Sequence, residues 1–209
     1  MRAIEKHSLW LRIHHWLNVP LLGLMVWSGI LIYWANDIYR GFFPAWFYGT
    51  FGIPSRLAEG LSVHFLIGWL FVINGIGYLL YLLRSGHWRE LVPTLTTLKA
   101  LPATILHDMG LIHEAPPQGK FNAAQRLAYT GAIFLAIVGV LTGLAIYKPV
   151  QLGWLLKVFY NYETARLIHF VVMVAFVLFI LMHLVQVLRA GWNGFRAMIA
   201  GFEVENEHE

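Results

Sequence analysis

Four stretches of the chain run for more than 20 residues without an Asp, Glu, Lys or Arg. They lie between Arg12 and Asp37, Glu59 and Arg84, Arg126 and Lys148, and Arg166 and Arg189. A hydrocarbon core about 30 Å thick needs about 20 helical residues to cross it. An isolated strand cannot satisfy its backbone hydrogen bonds in lipid, so such runs are helices. The pattern predicts an all-α membrane protein, a bundle of four transmembrane helices at roughly 13–34, 60–83, 124–147 and 165–188. A fifth charge-free run, Gly41–Ser55 (GFFPAWFYGTFGIPS), is too short to cross and contains two prolines. It is expected to form an aromatic loop at the membrane interface.

The polar connections give an orientation. Arg2, Lys6, Arg12, Arg84, Arg89, Lys99, Lys120, Arg126, Arg189 and Arg196 fall on one side of the spans. Arg40, Arg56, Lys148, Lys157 and Arg166 fall on the other. Lys and Arg are retained in the cytoplasm, so both termini are expected there. Residues 84–123 then form a long cytoplasmic loop. Its first half (HWRELVPTLTTLKALPATIL) suits a surface-lying helix; its second half, with Pro116, Pro117 and Gly119, suits irregular structure. Glu203–Glu209 holds four glutamates and is expected to be a solvated end. Met1–Trp16 is not a usual signal n-region and no clear A-x-A-like site follows, so the first run is kept as a permanent span. The chain 1–209 is treated as a single membrane domain.

Composition narrows the chemistry. The chain is 58% hydrophobic and 12% charged, against about 25% charged in soluble domains. Its mean hydropathy is +0.62. It has no cysteine, which excludes disulfides, iron–sulfur clusters, covalent c-type haem and thiol catalysis. The basic residues behind the net charge of +4 are scattered singly, so there is no basic patch for nucleic acid.

The histidines carry the functional argument. His15, His64, His169 and His183 lie within the spans, where an ionisable residue is a functional hypothesis by default. His169 and His183 are 14 residues apart. At 100° and 1.5 Å per residue they share a helix face, about 21 Å apart along the axis. FVVMVAFVLFILM between them offers no side-chain station for a proton or ion path. With the orientation above, His15 and His183 lie at cytoplasmic depth, and His64 and His169 at outer depth. Each pair can clamp one flat macrocycle, giving two bis-histidine haem b sites suited to electron transfer. Arg12 and Arg166 each precede a histidine by three, on the same helix face, where they could pair with haem propionates. Gly23, Gly29, Gly68, Gly75, Gly139 and Gly143 offer room for a porphyrin edge or simply for helix packing. His14 points about 100° away from His15 and takes the plain interfacial reading. His7, His87, His107, His113 and His208 are expected to be solvated.

Several motifs resemble one family. Arg12-Ile13-His14-His15-Trp16 resembles the R-x-x-H-W opening of the first helix of di-haem cytochrome b subunits. These are the membrane subunits of respiratory formate dehydrogenase, nickel–iron hydrogenase and thiosulfate reductase-like enzymes. Gly119-Lys120-Phe121-Asn122-Ala123-Ala124-Gln125 resembles their G-K-[YF]-N-x-x-Q segment. The helix-4 histidine spacing matches the formate dehydrogenase gamma subunit. The resemblance runs from about Lys6 to Gly201 and implies two haems b, a quinone site and a catalytic partner. It carries the axial ligands onto His15, His64, His169 and His183, and quinone contact onto Asn122, with Gln125 beside it. A helix N-cap is an equal and compatible reading of Asn122. The long aromatic first loop departs from the formate subunit. Gly191-Trp192-Asn193-Gly194-Phe195-Arg196 is closest in style to the thiosulfate reductase-like branch, whose members are often paired with an extracytoplasmic molybdenum-cofactor oxidoreductase.

The expected function is electron transfer between such a partner and the quinone pool, as a subunit rather than a stand-alone catalyst. The competing reading is a haem-free membrane anchor or transporter whose histidines bind a transition metal. Against it, no Asp, Glu or Cys joins a histidine inside any span.

Overall fold

The computed structural model describes residues 2–35, 43–114 and 120–205. The Pro116–Gly119 stretch, the first two residues of the aromatic run, and the tail beyond 205 with His208 lie outside them. Four described helices are long and apolar enough to cross a membrane. They are α1 (Leu9–Tyr33), α3 (Leu57–Ser85), α6 (Ala123–Tyr147) and α8 (Tyr162–Ala200). Short helices α2 (Ala45–Thr50), α4 (Trp88–Leu91), α5 (Leu95–Asp108) and α7 (Gly153–Val158) join them. Most of each apolar window is exposed at the protein surface, a state that suits lipid rather than water.

The described residues fall into two compact units. The first holds Met1–Tyr78 and Gln186–Glu209. Ser8 caps α1, its side chain accepting from the Leu11 amide. Gly60 lets α3 approach α1 closely: a Cβ there would stand 2.9 Å from Leu31 Cβ and 3.2 Å from the Ser28 carbonyl. Small residues serve such approaches in membranes, where no hydrophobic force drives one helix onto another.

Strands β1 (Arg2–Glu5) and β2 (Phe202–Glu205) pair antiparallel, Arg2 opposite Glu205 and Glu5 opposite Phe202. The start of the acidic tail is therefore a strand, where sequence reasoning expected only a solvated end. Lys6 Nζ meets Glu203 at 3.0 Å. Asn193 both donates to the Val204 carbonyl (3.1 Å) and accepts from its amide (3.0 Å). These cross-links supply what alternating hydrophobicity did not signal. Helix α8 breaks its dihedrals at Gly191 (φ 70°), a conformation open to glycine, and continues to Ala200. It thus extends twelve residues beyond the expected end of the span. Its last carbonyls are satisfied from α1: Arg12 donates to Ile199 O, and Trp16 Nε1 to Met198 O at 3.0 Å.

The aromatic run is more ordered than a plain loop. It contains α2 and a 3₁₀ turn, Ile53–Ser55, with Ile53 fully buried. Phe43 and Phe51 pack on Phe47 with ring centroids 4.4 and 4.8 Å away.

The second unit is Leu79–Val185. Its surface segment is helical as expected, in two pieces separated at Val92-Pro93. Arg126 of α6 ties the break down, donating to the carbonyls of Arg89 (2.9 Å) and Val92 (2.6 Å) and to Thr97 Oγ1 (3.3 Å). Helix α6 opens on a capping box: Asn122 Oδ1 accepts from the Gln125 amide and Gln125 Oε1 from the Asn122 amide. Ala145, Leu155 and Ala165 form a small buried core where α6, α7 and α8 meet.

Candidate functional site

The structure sets His64 and His169 in matching surroundings, one in each unit. His64 on α3 faces Ser28 of α1, Nδ1 to Oγ 2.9 Å. His169 on α8 faces Thr142 of α6, Nδ1 to Oγ1 3.0 Å. Both hydroxyls are fully buried. Each also bonds its own helix backbone: Ser28 donates to Leu24 O at 2.6 Å, and Thr142 to Val138 O at 2.7 Å. Each is followed by a glycine that lies against the imidazole. A Cβ on Gly29 would stand 3.7 Å from His64 Cε1, and one on Gly143 3.2 Å from His169 Cε1.

His15 lies in the second turn of α1 with its ring edge-on to Trp16, centroids 5.5 Å apart. His183 lies on α8 with its ring stacked on Phe179 at 6.1 Å and 10°. All four histidines are half-buried.

The flanking residues are placed as follows. Arg12 is held by the Ile199 carbonyl, and its Nε is buried with no hydrogen-bond partner among the described residues. Arg166 pairs with Glu163 at 2.9 Å. Asn122 and Gln125 use side-chain oxygens in the capping box, so the N-cap reading of Asn122 holds. Asn122 also lines a cavity of about 170 Å³ with Thr97, Phe121 and Arg126.

Sequence reasoning passed over Ser28, Thr142 and Asn74. Their shared signal was present: each is a polar residue inside a charge-free run and directly precedes a glycine. His14 is also more than interfacial. Its Nδ1 lies 2.7 Å from Asn74 Oδ1, and a Cβ on Gly77 would come within 2.8 Å of its ring. Of the proposed porphyrin-edge glycines, Gly23 and Gly75 face open space, while Gly139 packs at 3.3 Å from Val172. His87, expected to be solvated, is instead tucked beneath Tyr81 and Phe121 and bonds Glu90 at 2.9 Å. Burial pushes its pKa below the usual imidazole value, outweighing the attraction of Glu90; Lys120 lowers it further.

The donor set distinguishes cofactors. Among the described residues no three His, Cys, Asp or Glu side chains gather into a group that could hold a bare metal ion. The His64 and His169 imidazoles, each with a buried hydroxyl at Nδ1, fit a group that brings its own equatorial nitrogens and needs only axial donors. Fold and site together define a class: a multi-pass helical membrane protein whose spans present braced histidines suited to haem.

The chain belongs to the prokaryotic cytochrome b561 family, whose profile matches residues 6–201. It is 37% identical over 183 residues to the putative protein-methionine-sulfoxide reductase subunit YedZ1 of Azospira oryzae, covering 87% of this chain and 89% of that protein. It is thus a haem b-binding electron-transfer subunit of the bacterial inner membrane. The haem-free reading has no support in this family.

Proposed function

We propose that the chain is a di-haem cytochrome b that carries electrons across the membrane between an oxidoreductase subunit and the quinone pool, with both termini cytoplasmic. The observation that carries the haem count is the placing of His169 and His183 on one continuous stretch of α8 before its break at Gly191. Fourteen residues of α-helix separate them by about 21 Å on one face, too far to serve a single macrocycle. The depth order read from the sequence pairs His64 with His169 and His15 with His183. Haem b held by two of these histidines would supply one-electron redox chemistry. Arg12 and Arg166, a turn ahead of His15 and His169, are the basic groups offered to propionates.

The family resemblance and the cavity beside Asn122 support the quinone site. Within that cavity Phe121 provides an apolar ring face, and the Asn122 amide nitrogen is a donor not used by the capping box. The relative's name as a methionine-sulfoxide reductase subunit favours an oxidoreductase partner; the orientation read from Lys and Arg would set it on the extracytoplasmic side, and the thiosulfate reductase-like style favours one of the molybdenum class.

Pyridine haemochrome analysis of fully loaded protein tests the reading. Two haems b per chain are expected, and one haem per chain overturns the count.

A further inference from the structure

Ser28 and Thr142 have a role that neither the motif pattern nor the family assigns. A hydroxyl has one proton. Ser28 places it on the Leu24 carbonyl and Thr142 on the Val138 carbonyl, groups that can only accept. The hydroxyl oxygen therefore meets Nδ1 as an acceptor, and the imidazole must be the donor. A neutral imidazole that donates from Nδ1 keeps its lone pair on Nε2. The same arrangement occurs at His64 and at His169, in separate units and on different helix pairs. The glycine after each hydroxyl completes the slot: a Cβ at Gly143 would crowd His169 Cε1 at 3.2 Å.

We propose that Ser28 and Thr142 are positioning residues for the axial ligands His64 and His169, each holding the Nδ1–H tautomer so that Nε2 faces the iron. The inference rests on the di-haem reading above. Each hydroxyl does two further things. It fixes the ring plane against its glycine. It also draws on the Nδ1 proton, which makes the imidazole a stronger donor and favours ferric over ferrous iron. A hydroxyl that is itself donating is a better acceptor, so the relay through the backbone carbonyl strengthens the effect.

The test is optical redox potentiometry with low-temperature electron paramagnetic resonance on purified holoprotein. Ser28→Ala and Thr142→Val each remove a hydroxyl with little change in shape. Both variants are expected to keep two haems, to raise the midpoint potential of one and to alter its low-spin signal. Thr142→Ser keeps the hydroxyl and should return the wild-type potential. If His64 and His169 hold one haem, as the depth order read from the sequence pairs them, both shifts should appear in the same haem, and the double variant should move it further. Two haems with wild-type potentials and signals in both single variants overturn the proposal, leaving the hydroxyls a packing role only. If Thr142→Val does not fold, Ser28→Ala and Thr142→Ser decide: an unshifted Ser28→Ala or a shifted Thr142→Ser overturns it. A wild-type protein with fewer than two haems instead refutes the di-haem reading, a separate result.

Discussion

Asn74 holds His14 from two directions, its Oδ1 2.7 Å from the His14 ring and its Nδ2 3.3 Å from the His14 carbonyl. Nδ2 also donates to Asn18 Oδ1 at 2.9 Å, which fixes which end of the amide faces the imidazole. The network joins α1 to α3 one residue before His15. Its members are satisfied by one another, so it is a helix clamp that needs no cofactor to explain it.

The clamp makes a prediction. Asn74 is only 7% exposed, and Asn74→Leu leaves the His14 donor and the Asn18 acceptor without their partner. Polar contacts between membrane helices are worth about 0.6–2 kcal/mol. The variant should unfold at lower temperature in detergent yet bind two haems, as should His14→Ala. Loss of a haem in His14→Ala, measured as pyridine haemochrome, would make His14 rather than His15 the first-helix ligand.

The depth sorting makes another. His64→Ala and His169→Ala should remove the same haem, and His15→Ala and His183→Ala the other. Redox titration separates the two components by potential. If the His15 and His64 variants lose the same component, the pairing is wrong, and with it the orientation drawn from Lys and Arg.

The four spans were legible because the bilayer reads a simple quantity, the length of chain between charges. The histidines were legible because a polar group in such a run is costly and rarely accidental. Ser28 and Thr142 were not, because a hydroxyl can satisfy itself on its own helix and so carries no warning of a partner on another. His14 was misjudged for a related reason: pointing away from His15 told where it does not face, not that Asn74 waits on α3. The strands at Arg2–Glu5 and Phe202–Glu205 are four residues each and almost 200 residues apart, a pairing no local pattern announces.

His87 gives a pH dependence outside the spans. Its neighbours with charge are Glu90 and Lys120, and burial holds its pKa below that of the unfolded chain, about 6.5. The unfolded state therefore binds the proton more readily. The stability from keeping His87 neutral is complete above about pH 6.5 and is lost as pH falls toward the depressed value. Heat-unfolding midpoints of wild type and His87→Gln, taken between about pH 7.5 and 5, should diverge least at the acid end. Parallel curves would show that another group governs acid sensitivity.

Asn122 allows its two roles to be separated by choice of substitution. As N-cap it needs only an oxygen to accept from the Gln125 amide; as quinone ligand it needs its amide nitrogen. Serine is nearly as good an N-cap as asparagine, whereas an apolar residue there costs about 1 kcal/mol. Asn122→Ser should therefore unfold close to wild type, and Asn122→Leu at a lower temperature. Both should keep two haems with unchanged spectra. Both should also be reoxidised more slowly by added quinone after chemical reduction, because neither can donate from Nδ2 into the cavity that Thr97, Phe121 and Arg126 share with residue 122. Stopped-flow absorbance at the haem bands measures the rate directly. If Asn122→Ser reoxidises as fast as wild type while Asn122→Leu does not, the residue matters only as a cap, and the quinone lies elsewhere. If both are fast, the cavity at the start of α6 is not a quinone site at all.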